Sequence, residues 1–110
     1  MSSLSTHVLD TMHGRPAAGV RVRLLDAAGA LQFGGETNAD GRCPGMPALG
    51  GGRYRLEFGV ADYFRSVGVA LASPPFLDVV GLEFGVTEDG GHYHVPLLVS
   101  PFSYSTYRGS

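Results

Sequence analysis

His92, Tyr93 and His94 open the stretch HYHVPLLVSPFSYSTYRGS, residues 92–110. In an extended strand, residues two apart share a face. His92, His94, Pro96 and Leu98 therefore point one way, and Tyr93, Val95, Leu97 and Val99 the other. The second set is aromatic and aliphatic, which marks the core side and leaves both imidazoles on the outer face. Imidazole is the side chain whose ordinary pKa suits proton transfer near neutrality. Two imidazoles on one face also suit a metal such as zinc. Zinc needs a further ligand, however, and the remaining histidines, His7 and His13, are scattered upstream. The tail adds Tyr107, Arg108, Gly109 and Ser110, and Arg42 and Cys43 sit side by side in NADGRCPGMPALGGG. Taken singly, a surface histidine or a turn arginine is most often just solvated. A lone cysteine with histidines elsewhere is a nucleophile candidate, although a Gly/Pro-rich turn is more often an incidental setting. Chemistry requires that the fold bring these groups together.

The elements that would do so are short and strand-like. LSTHVLDT (4–11) is a first strand, with Ser5, His7 and Leu9 on one face. In VRVRLLD (20–26), Val20, Val22 and Leu24 alternate with Arg21 and Arg23, the period of a half-buried strand. DAAGA turns the chain and LQFGGET (31–37) returns as a hairpin partner. Residues 38–52 are rich in Asn, Asp, Gly and Pro, each a turn former. RYRLEFGV (53–60) alternates again, with Tyr54, Leu56 and Phe58 together. ADYFRSV (61–67) lacks Gly and Pro and predicts one or two helical turns. GVALAS (68–73) and PFLDVVGLEFGVTE (75–88) read as strands, and EDGG (88–91) as a hairpin turn. HYHVPLLVS and FSYSTYRG complete the set, joined at Pro101. The pattern predicts an all-β chain: an antiparallel β-sandwich of about eight strands with one short helix.

Bulk properties narrow the function. The 110 residues suit a single domain, 1–110. Eight basic and ten acidic residues give a net charge of −2, which argues against a nucleic-acid binder. No run of about 20 apolar residues is present to span a membrane. With Cys43 the one cysteine, no internal disulfide can form. The opening MSSLSTHVLD lacks a basic stretch followed by an apolar one. A soluble cytoplasmic protein is the expectation.

Three stretches together, LSTHVLDTMHGRPA, TNADGRC and HYHVPLLVSPFSYSTYRGS, resemble the 5-hydroxyisourate hydrolases, the enzymes among the transthyretin-like proteins. The terminal YRGS is the most specific piece, and the likeness spans essentially the whole chain. The resemblance implies a two-sheet sandwich in a homotetramer, a dimer of dimers, with the chain end lining a central channel. It implies hydrolysis of a cyclic amide in 5-hydroxyisourate, giving 2-oxo-4-hydroxy-4-carboxy-5-ureidoimidazoline in urate breakdown, with no metal or cofactor. It implies His7, Arg42, His94 and Ser110 as catalytic residues, and Tyr107, Arg108 and Gly109 as substrate-binding residues. No role for His92 is implied. Two alternatives stay open: a transthyretin-like carrier of small aromatic ligands, and a zinc hydrolase built on His92 and His94.

Overall fold

The computed structural model describes residues 1–109. Among them, ten strands form two four-stranded sheets and one two-stranded pair, with a single helix. The first sheet is β5 (Leu31–Glu36), β4 (Arg21–Asp26), β6 (Gly52–Gly59) and β7 (Val79–Val86), in that spatial order and antiparallel throughout. The second holds β10 (Tyr104–Thr106), β9 (Leu97–Val99), β2 (Val8–Asp10) and β3 (Arg15–Pro16). A further pair, β1 (Ser3–Ser5) with β8 (His92–His94), precedes it along the same chain segments.

The expected alternation holds. Val20, Val22, Leu24, Leu56 and Phe58 from one side, and Tyr93, Val95, Leu97 and Val99 from the other, are buried in one hydrophobic cluster. Burying such side chains is worth about 1.5–3 kcal/mol each, which is what fixes the strand faces.

Three features differ from the sequence reading. First, β1–β8 and β2–β9 pair in parallel, not antiparallel. Ser3 faces His92 and Val8 faces Leu97, so both segments keep one register, an offset of 89 residues (92 − 3 and 97 − 8). The ladder is interrupted between them where Thr6 Oγ1 donates to the Val95 carbonyl at 2.6 Å, although the Val95 and Leu97 amides still donate to the Ser5 and His7 carbonyls at 2.9 and 3.0 Å. The single strands expected at 4–11 and 92–100 are therefore each divided. Second, residues 68–73 form no strand. The helix α1 (Val60–Ser66) ends on Gly68, whose φ of +89° needs no Cβ. The amides of Gly68 and Val69 return to the carbonyls of Arg65 and Phe64, a closure that spends those donors locally. Third, the EDGG turn does not make a hairpin: it carries the chain from β7 in the first sheet to β8, which pairs with β1. Among the described residues no helix is long and apolar enough to cross a membrane.

The helix presents Val60, Ala61, Tyr63 and Phe64 inward, the 3–4 spacing of one helical face. Tyr63 hydroxyl donates to Asp10 Oδ2 at 2.7 Å, and His13 adds its Nδ1 at 2.6 Å and its backbone N–H at 2.9 Å. Burial alone would push the Asp10 carboxyl up, but hydrogen bonds from Tyr63 and His13 outweigh it and hold it below 3.8. Burial and the facing carboxylate push the Tyr63 phenol up to about 12, so it stays a donor.

Asp10→Ala leaves the Tyr63 hydroxyl unpaired in the interior and is expected to cost about 2–4 kcal/mol, read by denaturant unfolding. Folded Asp10 keeps its charge below the ordinary 3.8. Its contribution is therefore complete above that pH and is lost as pH falls through the folded value. The wild type should lose stability over that acid range and Asp10→Ala should not show the same loss.

Candidate active site

His7 stands at the break in the parallel ladder. Its carbonyl accepts from the Leu97 amide at 3.0 Å on one edge, and on the other edge His7 bridges to Arg42 of the 38–43 loop, where the Val8 amide donates to the Gly41 carbonyl at 2.8 Å. Its Nε2 lies 2.8 Å from the Asp40 carbonyl oxygen, so that nitrogen carries the proton and donates. The loop is shaped by Asn38, whose Oδ1 accepts from the amides of Asp40 at 3.0 Å and Arg42 at 3.1 Å, the turn chemistry Asn is suited to. Gly41 has φ +75°, and a Cβ there would run into the Val8 carbonyl. Only glycine lets this loop lie so close to the strand.

His94 ends β8, half-buried, directly opposite Ser5 on β1. Its Nδ1 lies 2.7 Å from Ser5 Oγ. The chain end folds over it: Gly109 N–H donates to the His94 carbonyl at 2.8 Å, and a Cβ on Gly109 would sit 2.6 Å from His94 Cδ2. Burial, and then the charges of Arg42, His7 and His92, hold the His94 imidazole below its ordinary 6.5. His94 is thus a neutral base at pH 7, with a guanidinium near enough to be felt.

The expected residues do not all meet here. His7, Arg42, His94 and Gly109 gather. Arg108 turns away: its guanidinium lies 3.9 Å above the Tyr93 ring and donates to the carbonyls of Gly90 and His92 at 3.1 and 3.3 Å. That cation–ring contact fixes the tail against β8. Tyr107 is exposed and lines a groove with Leu82, Phe84, Tyr93 and Val95. Ser110 lies outside the described residues. Cys43 is buried and burial pushes its thiol up, so it is not a ready thiolate nucleophile. His13 serves Asp10. His92 and His94 converge on the Ser5 hydroxyl, and among the described residues no three His, Cys, Asp or Glu side chains gather as a metal set. The sequence reading passed over Ser5 and Asn38; the shared parity of Ser5 and His7 was the one signal for the former.

A planar cation, two imidazoles and the close backbone of Gly109 suit acid–base work on a small polar ring. The model of the HIUase/transthyretin family matches residues 4–109. The chain belongs to that family. A 5-hydroxyisourate hydrolase of Ralstonia nicotianae is 51% identical over 117 residues, covering all of both chains. A solved structure of (S)-allantoin synthase superposes with TM-score 0.90 at 44% identity; the match covers 99% of this chain and 44% of that one. The structure of the 5-hydroxyisourate hydrolase of Klebsiella pneumoniae superposes over the full length of both chains with TM-score 0.86 at 36% identity. The overall fold described above is therefore shared with these solved structures.

Followed by NMR, His94 is expected to titrate below 6.5, and Arg42→Gln to move its midpoint upward by removing one of the charges that oppose protonation. A wild-type midpoint at or above 6.5 would contradict the electrostatic account.

Proposed function

We propose that this chain hydrolyses 5-hydroxyisourate to 2-oxo-4-hydroxy-4-carboxy-5-ureidoimidazoline. The observation that carries the reading is His94: a neutral imidazole under the Gly109 backbone and within electrostatic reach of Arg42 and His7. The full-length likeness to a 5-hydroxyisourate hydrolase supports it. A carrier of apolar aromatic ligands has no need of two imidazoles and a guanidinium at one spot, so that alternative is not favoured.

Amide hydrolysis needs an activated water, stabilisation of the developing oxyanion and a proton for the leaving nitrogen. In our reading His94 is the base that deprotonates water. His7, with Nε2–H committed to the Asp40 carbonyl, orients that water through its other nitrogen. Arg42 offers its planar fork to the urate-type oxygens. Gly109 lets the backbone close on the ring, and Ser110, outside the described residues, keeps the catalytic role that the family likeness implies. Tyr107 narrows the entrance. Arg108 acts from its place on Tyr93 by holding the tail.

We infer further that residues 1–110 act as one domain, that four copies assemble as a dimer of dimers, and that the protein works in the cytoplasm. One hydrophobic cluster draws on both sheets, which supports the first. Phe76 and Phe102 are about three-quarters exposed with ring centroids 6.3 Å apart, an apolar pair that assembly would cover. The single cysteine, buried and free, fits a reducing compartment.

The deciding assay follows ultraviolet decay of freshly made 5-hydroxyisourate with and without the protein. Acceleration that survives a chelator is expected. His7→Asn and His94→Asn should each lower kcat by about 10²–10⁴-fold. Decay at the spontaneous rate with wild-type protein would overturn the hydrolase reading, and full activity in either variant would overturn the roles given to the histidines. Light scattering is expected to give the mass of four chains.

A further inference from the structure

The hydrogen bonding of His94 runs past the candidate site. Ser5 Oγ, 2.7 Å from His94 Nδ1, is also 2.8 Å from His92 Nε2. His92 Nδ1 in turn lies 2.6 Å from Ser3 Oγ. The parallel register makes this chain: Ser3 sits opposite His92 and Ser5 opposite His94, and alternate residues share a face. The line leads from half-buried His94 to His92 and Ser3, both exposed. A hydroxyl carries one proton. Ser5 therefore donates to one imidazole and accepts from the other, and the two ring tautomers are tied to each other through it.

Resting on the hydrolase reading above, we propose that Ser5 and His92 are positioning residues that form a proton relay for His94, fixing its tautomer and carrying its charge to the surface. In the resting state His94 Nδ1–H donates to Ser5 Oγ, the Ser5 hydroxyl donates to His92 Nε2, and His92 Nδ1–H donates to Ser3 Oγ. His94 Nε2 is then the free lone pair. When Nε2 takes a proton from the attacking water, the Nδ1 proton passes to Ser5 Oγ and the Ser5 proton passes to His92 Nε2. His94 and Ser5 end neutral, and His92 ends as the imidazolium. The bond sequence reverses when His94 Nε2 gives its proton to the leaving nitrogen: His92 Nε2 returns one to Ser5, and Ser5 returns one to His94 Nδ1. No oxidant, metal or further reactant enters the balance. The relay solves a problem set by the site. Burial, Arg42 and His7 all oppose a positive charge on His94, whereas His92 stands in solvent. The groups that face the two rings are Ser5, His7, Arg42 and the Gly109 backbone for His94, and Ser3, Ser5 and His94 for His92; the Arg108 guanidinium meets only the His92 carbonyl. Among the described residues no carboxylate side chain hydrogen-bonds to either ring, so the charge has no nearer acceptor.

The test uses the full chain with 5-hydroxyisourate as substrate. Ser5→Ala should lower kcat about 10–100-fold with little change in KM, and Ser5→Thr, which keeps the hydroxyl, should restore most of it. His92→Gln, which keeps a hydrogen-bonding side chain but cannot take the charge, should also lose kcat and regain it with added imidazole; the wild type should not respond to imidazole. ¹⁵N NMR of the resting wild type should show His94 protonated on Nδ1, with that preference lost in Ser5→Ala. Wild-type kcat in Ser5→Ala or His92→Gln, or a resting His94 protonated on Nε2, would overturn the relay. An inactive wild type would instead remove the hydrolase reading and the relay with it, so the two failures are told apart by the wild-type rate.

Discussion

The parallel pairing of residues 3–10 with 92–99 is the constraint from which the site follows. It keeps one register across a break, and that register sets Ser3 against His92 and Ser5 against His94. The break is as informative as the pairing. There Thr6 Oγ1 donates to the Val95 carbonyl, while the His7 carbonyl still accepts from the Leu97 amide. The 38–43 loop docks on the opposite edge of the same segment, where His7 bridges to Arg42 and the Val8 amide donates to the Gly41 carbonyl. One short segment thus ties β9 on one side to the Arg42 loop on the other.

Around this ladder the polar groups are placed by backbone more than by side chains. Gly41 admits the loop, and Gly109 admits the tail over His94. In both places the missing Cβ sets the distance of closest approach. The electrostatic result is an imidazole that resists charging. Its guanidinium neighbour is solvent-exposed, so it can meet an anionic ring while still acting on His94.

The parts of this arrangement that were legible in the sequence are those with a local period. Val20, Val22 and Leu24, then Tyr93, Val95 and Leu97, announce their buried face by alternation alone. The outer placement of His92 and His94 follows from the same parity. The helix over 61–67 reads correctly from the absence of breakers, one residue late at its start and one beyond its end. What escaped was non-local. Nothing near Ser5 says that its hydroxyl will sit between two rings 87 and 89 residues away. Nothing near Arg108 points to the face of Tyr93. GVALAS has strand composition, but the helix closure just before it and the prolines just after it leave no partner, and Val69 and Leu71 pack on the core without a ladder. The joining of His7 to Arg42 came from likeness to a family rather than from any pattern in the residues themselves.

The 89-residue offset also orders events in time. Residues 3–10 leave the ribosome 89 residues ahead of their partners 92–99. Leu4 and Val8, buried in the folded protein, must wait for those partners to be made. The antiparallel β4–β5 hairpin and its neighbours β6 and β7 pair only with one another, through segments closer in sequence, the kind of contact that forms early. The first sheet can therefore stand as a scaffold during synthesis, and the second closes onto it afterwards. A nascent chain that stops short of residue 92 carries His7 and Arg42 but lacks the partner strand and His94, so the site cannot assemble before residues 92–99 are made.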